Sequence, residues 1–156
     1  MLDKILTALI LGFVSFATPT LAQEFHQAPL VIHAQTGDIS FEVEVPHTDA
    51  QMQKGLMFRK DMPPKTGMLF IFNGRSHVSM WMKNTLISLD MLFINAQGKV
   101  VYIAKGTTPH SLDSIAPPYG VVANAVLELK AGTVNAEGIK VGDRVEHPAF
   151  NALLSR

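Results

Sequence analysis

Past its N-terminus, this chain places its apolar residues in short runs closed by turn formers, and that spacing points to a small β-rich architecture. Leu30-Val-Ile-His-Ala34 and Ile39-Ser-Phe-Glu-Val-Glu-Val45 flank Thr36-Gly37-Asp38, a turn signal between two strand-like runs. In the second run Ile39, Phe41, Val43 and Val45 alternate with Ser40, Glu42 and Glu44, the period of a strand buried on one face. Met68-Leu-Phe-Ile-Phe72 is a short apolar run ended by Asn73-Gly74, hence a buried strand. Residues 77–82, 91–95, 99–104, 125–129 and 143–147 read as further strands. Thr48 with Gln51 three residues later is a capping box, predicting a helix to about Met57 with Gly55 a weak spot inside it. Residues 135–138 make a short helical turn, and the proline-bearing segments 61–67 and 107–119 are loops. The fold class is α+β, mostly β: a compact, small barrel-like antiparallel sheet with one or two short helices.

The N-terminus has a different pattern. Lys4 lies in a short polar head, residues 5–16 are apolar or small, and Ala17-Thr-Pro-Thr-Leu-Ala22 adds a proline break and small residues where a signal peptidase reads. The apolar run is too short to span a bilayer comfortably. Residues 1–22 are therefore expected to be a secretory signal cleaved after Ala22, residues 23–29 a flexible leader, and residues 30–156 a single globular domain. The mature protein is expected to be periplasmic or secreted, without a membrane span, and a monomer.

Composition closes several routes. The chain has no Cys, so disulfides, thiol chemistry and Cys-based metal sites are excluded, and burial alone must stabilise it. Thirteen Lys and Arg balance thirteen Asp and Glu, which gives no electrostatic case for nucleic acid or an anionic membrane surface.

Within Met80-Trp-Met-Lys-Asn-Thr-Leu-Ile-Ser-Leu-Asp-Met91, a run otherwise apolar enough for a core, stand Lys83, Asn84 and Asp90. Charges in such surroundings need a partner, a path to water or a task. Strand parity puts Lys83 on the same side as the Trp81 indole, and Asn84 suits a left-handed turn position. Asp90 opens the returning strand, so the bend is expected to bring its carboxylate back towards Lys83 or Asn84. Either these groups pin a tight bend, or they line a polar cleft beside Trp81. In the second case Trp81 supplies an apolar platform while Arg59, Lys83 and Asn84 supply donors for a small polar or anionic ligand.

The residues that carry a family likeness are Gly55-Leu-Met-Phe-Arg59, Gly67-Met-Leu-Phe70, Trp81-Met-Lys-Asn-Thr85, Leu89-Asp90, Val126-Leu-Glu128 and Gly142-Asp143, in that order. Over residues 39–145 the chain resembles the family called domain of unknown function 192, or uncharacterised protein family 0127. The usual Phe before the Trp is Met80 here, and the usual Pro before Leu-Asp is Ser88. The resemblance implies a compact β-rich domain of a kind often exported, and it brings no established reaction.

The candidate ligand-binding set is thus Arg59, Trp81, Lys83, Asn84 and Asp90, in a binding or accessory protein. One alternative is a hydrolase or transferase using Lys83 and Asp90 as an acid–base pair. Against it, the chain has no nucleophile elbow and no phosphate-cradling glycine loop. Asp90, Asp113 and Glu128 are candidate catalytic carboxylates, but each reads better as a solvated surface acid or turn residue. A scaffold for a periplasmic protein partner is a further alternative. Methionines are dense between residues 52 and 91, and Met80 with Met82 could offer two thioethers to Cu(I). Core filling is the better reading of those positions. The six His show no paired zinc spacing, so no metal and no cofactor is expected.

Overall fold

The computed structural model describes residues 25–73 and 77–154. The signal-like segment 1–22 and the first two leader residues lie outside the described residues. Seven strands form one sheet: β1 (His26–Ala34), β2 (Gly37–Val45), β3 (Thr66–Ile71), β4 (Leu89–Ile94), β5 (Val100–Ala104), β6 (Ala125–Lys130) and β7 (Arg144–Glu146). Their spatial order is β5-β4-β6-β3-β2-β1-β7. Every neighbouring pair is antiparallel except β2 with β3, which run parallel because α1 (Asp49–Lys54) carries the chain between them.

The two edge strands meet. Lys99 bridges Arg144, the Val145 amide donates to the Gly98 carbonyl at 2.7 Å, and the Val100 amide donates to the Asp143 carbonyl at 2.9 Å. The sheet is therefore a nearly closed barrel, which leaves few unpaired backbone groups at its rims. Gly98 makes this closure sterically feasible: its φ is +78°, and a Cβ there would stand 2.5 Å from the Val145 carbonyl oxygen.

Strand parity divides the apolar residues into two cores. Leu30, Ile32, Phe41, Val43, Leu69, Leu92, Leu127 and Val145 point inward and fill the barrel. Val134 of α2 (Thr133–Glu137) joins them, so that this short helix plugs one end. The opposite face of β3, β6 and β4 carries Met68, Phe70, Val126, Met91 and Phe93, and it is covered from outside by Leu56, Met62, Val78 and Met82. That outer layer is where the sequence motifs gather.

Three expectations need correction. Residues 26–29, expected as loose leader, belong to β1, because they pair with the far end of β2 from His26–Val45 to Pro29–Glu42. The first helix keeps its expected capping box but stops at Lys54. Gly55, with φ +46° and ψ −131°, ends it there, and a Cβ at that position would crowd the Phe70 ring at 3.1 Å. Residues 77–82 are not a strand. They form part of an arm joined to residues 107–119 by one bridge, Met80 with Ile115, plus the Met82 amide on the Ser111 carbonyl at 3.0 Å. That partner segment contains Pro109, Pro117 and Pro118, which cannot supply the amides of a regular ladder.

Candidate functional site

The arm turns at Lys83 and Asn84. Asn84 has φ +55°, a conformation its short amide side chain tolerates, and the Thr85 amide closes the turn on the Met82 carbonyl at 3.0 Å. The turn is anchored sideways by the Phe58 amide, which donates to the Asn84 carbonyl at 2.9 Å. This bond ties the Gly55-to-Arg59 segment to the Trp81-to-Thr85 segment. Met82 points down into the outer core, fully buried, where its sulfur accepts the Thr107 hydroxyl at 3.1 Å. Trp81 is left on the surface, 49 % exposed, and the Lys83 Nζ stands 5.0 Å from its ring centroid. An ammonium at that distance is held by the ring quadrupole while keeping most of its water.

The other expected site residues are already engaged. Arg59 forks onto Glu44, with Nη1 donating to Oε1 at 2.7 Å and the second nitrogen to the other oxygen, and its guanidinium lies 5.6 Å from the Phe25 ring centroid. The Asn84 amide is directed at the Met57 sulfur, at 3.9 Å. Asp90 does not join Lys83. Its carboxylate accepts the Gly106 amide at 2.9 Å and the Val134 amide at 3.0 Å, and it faces the barrel end that α2 plugs. Lys83 lies over the outer layer on the other side of the sheet. The expected convergence, and with it the Lys83–Asp90 acid–base pair, is therefore absent: β4 parity turns Asp90 inward with Leu92 and Ile94.

What lies under Trp81 and Lys83 is a small cavity of about 40 Å³, walled by Met52, Gly55, Phe70 and Met80 and lined below by Glu128. Glu128 sits in the middle of β6, directly across from Met68 on β3 and Met91 on β4. It is 4 % exposed, and its carboxyl has no hydrogen-bond partner among the described residues. Burial pushes this carboxyl up from 4.5 to about 8, with the Arg59 charge opposing the shift only in part. Near neutral pH, Glu128 is thus mostly an uncharged acid with an O–H to donate.

The expectation of a solvated acid fails at Glu128, which the sheet buries. The signal was present, since it interrupts Ala125-Val-Leu-Glu-Leu129 much as Lys83 and Asp90 interrupt their run. Asp113 is the exposed turn residue expected, with its amide and carboxylate both on the Ser111 hydroxyl.

A larger, open groove of about 420 Å³ runs between the β1–β2 turn and α2, but its polar groups are occupied. Asp38 pairs with His33 at 2.7 Å, Glu137 with Lys65 at 2.6 Å, and Asn135 with Lys105 at 2.7 Å. Among the described residues, no group of three or more His, Cys, Asp or Glu is placed to hold a metal ion, and no helix is long and apolar enough to cross a membrane.

The family model DUF192, described as an uncharacterized ACR, matches residues 31–147. A crystal structure from Sinorhizobium meliloti, described as that of a "putative transcription regulator", is 39% identical with a TM-score of 0.72, covering 78% of this chain and 94% of that one. A protein of unknown function from Novosphingobium aromaticivorans is 31% identical with a TM-score of 0.76, covering 81% of this chain and 89% of that one. No curated protein matches the chain.

Proposed function

The chain belongs to the DUF192 family, and from that premise we propose that it is an extracytoplasmic binding or accessory domain that takes a small polar or anionic ligand beneath Trp81 and Lys83. One observation carries this reading: a half-exposed indole with an ammonium on its face stands at the rim of a cavity whose floor is polar and unpartnered. An apolar wall with a few convergent polar groups is the usual composition of a small-molecule site. Trp81 supplies the flat contact and Lys83 the charge, while Glu128 awaits a partner. Transcription regulation, the description attached to the Sinorhizobium meliloti structure, gains no support from the net charge of this chain, which is zero.

Trp81 is the only tryptophan of the chain, so its emission reports on this site alone. Titration of a polar-metabolite collection against Trp81 emission, with a parallel thermal-shift measurement, tests the proposal. Ligands should change the emission and raise the melting temperature, and Lys83→Met should abolish both responses. A collection that raises the melting temperature without touching Trp81 emission would move the site elsewhere. Export is tested separately: intact mass of the extracytoplasmic protein should correspond to a chain beginning at Gln23. A membrane-retained product still carrying Met1 would refute cleavage.

A further inference from the structure

Resting on the ligand-binding reading above, we infer that the cavity under Trp81 and Lys83 is a carboxylate subsite, in which Glu128 donates its O–H to one oxygen of a small organic acid. The first ground is an unpartnered group. Glu128 is more than nine-tenths buried, lines the cavity, and has no hydrogen-bond partner among the described residues. Its carboxyl lines the cavity, so a group entering there can supply the partner that the fold does not.

The second ground is the sign of the surrounding charge. Lys54 and Lys83 line the same cavity, and Arg59 is close enough to act electrostatically on Glu128. Lys130, two residues along β6, is tied to Asp61 at 2.6 Å. From β3 and β4 the groups directly across are Met68 and Met91, which carry no charge. Glu44, two strands away, is forked by Arg59. A cationic ligand would meet two lysines at the rim, whereas a carboxylate meets two cations and then a hydrogen-bond donor. The third ground is size. A cavity of about 40 Å³ admits one functional group and no more, so the rest of the ligand lies outside, against the Trp81 face.

The hydrogen bond needs the proton on Glu128. Since burial raises its carboxyl to about 8, ionisation above that value replaces a donor with a like charge facing the ligand. Affinity for a carboxylate should then fall about tenfold between about pH 6 and about pH 9, as the protonated fraction falls by that factor.

Three probes of one body, propionate, propionamide and propylammonium, titrated into the whole mature protein at both pH values with Trp81 emission as readout, test this. Propionate should bind best at the lower pH and weaken about tenfold at the higher one. Glu128→Gln, which cannot ionise, should remove that pH dependence, and Glu128→Leu should remove binding, with circular dichroism melts confirming that both variants fold. The wild-type pH profile stands as a test even if a variant does not fold. Propylammonium binding best, or tightening as the pH rises, would overturn the carboxylate assignment while leaving a ligand site under Trp81. Propionamide matching propionate, or propionate binding equally at both pH values, would also overturn it. No response to any of the three would overturn the inference and the binding reading together.

Discussion

Asp90 and Glu128 sit on adjacent strands one residue out of register, Asp90 opposite Leu129 and Glu128 opposite Met91, and so face opposite sides of the sheet. Both are buried, at 1 % and 4 % exposure. Asp90 accepts two backbone amides, whereas Glu128 accepts none among the described residues. The same chemical group is thus a structural clasp on the inner face and an unfinished contact on the outer one.

The clasp makes the first prediction. Asp90→Ala leaves the Gly106 and Val134 amides without their acceptor, uncoupling α2 from the barrel end. Urea unfolding should show a loss of about 3–5 kcal/mol, from two charge-assisted hydrogen bonds and the burial of their orphaned donors. The propionate response of Trp81 should survive at temperatures where the variant is folded. Its disappearance in a folded Asp90→Ala protein would reconnect the two faces that the sheet separates.

Glu128 predicts the opposite stability effect. Its folded-state value of about 8 lies above the unfolded value of 4.5, so the folded state holds the proton more tightly. The resulting cost is absent below the unfolded value, grows as pH rises, and levels off above the folded one. At pH 7 it reaches about 3 kcal/mol, and Glu128→Gln should gain up to that amount. The advantage should vanish near pH 4. Denaturant midpoints across this range check it, and a variant less stable than wild type at pH 7 would show that the carboxylate has a partner.

Lys83 is exposed and forms no salt bridge among the described residues. Lys83→Met should therefore change stability by no more than about 0.5 kcal/mol. Trp81 emission should shift, because the ammonium leaves the ring face. A large destabilisation without loss of ligand response would return Lys83 to the role of pinning the bend.

His147 supplies a pH prediction of its own. Its Nδ1 accepts the Ala149 amide at 3.1 Å, while Nε2 is buried without a partner among the described residues. Burial, with a smaller contribution from the charge of His26, holds the ring below its usual 6.5. The folded state thus favours the neutral ring, and the stability this protects is present above 6.5 and lost as pH falls below it. Thermal melts at about pH 7 and about pH 5 should show an acid loss in wild type that is smaller in His147→Asn, which keeps a capping acceptor. Equal acid loss in both proteins would assign it to other groups.

The parts of the fold legible in the sequence were those decided locally. Alternation set β2, the Thr48–Gln51 pair set the start of α1, and the apolar runs set β3 to β6. Residues 77–82 misled because a strand needs a partner with regularly spaced amides, which the proline-bearing segment beside them lacks. The site was half legible. Trp81 and Lys83 do share a side, although the segment that carries them is not a strand, and Asn84 takes the left-handed turn. Asp90 was misplaced because parity does not carry through an irregular bend. Glu128 is not legible as a buried acid because its burial comes from α1 and from the arm, both remote in sequence.

β1 lies between β2 and β7, and only the first of these neighbours is close in sequence. A chain made or translocated from its N-terminus can zip the β1–β2 hairpin early, but the other flank of β1 has to wait for residues 144–146. Until they arrive, β1 presents an open ladder to any other extended chain nearby. Residues 144–146 therefore act as a seal. Losing them would open the barrel seam and leave that flank of β1 free to pair with another chain.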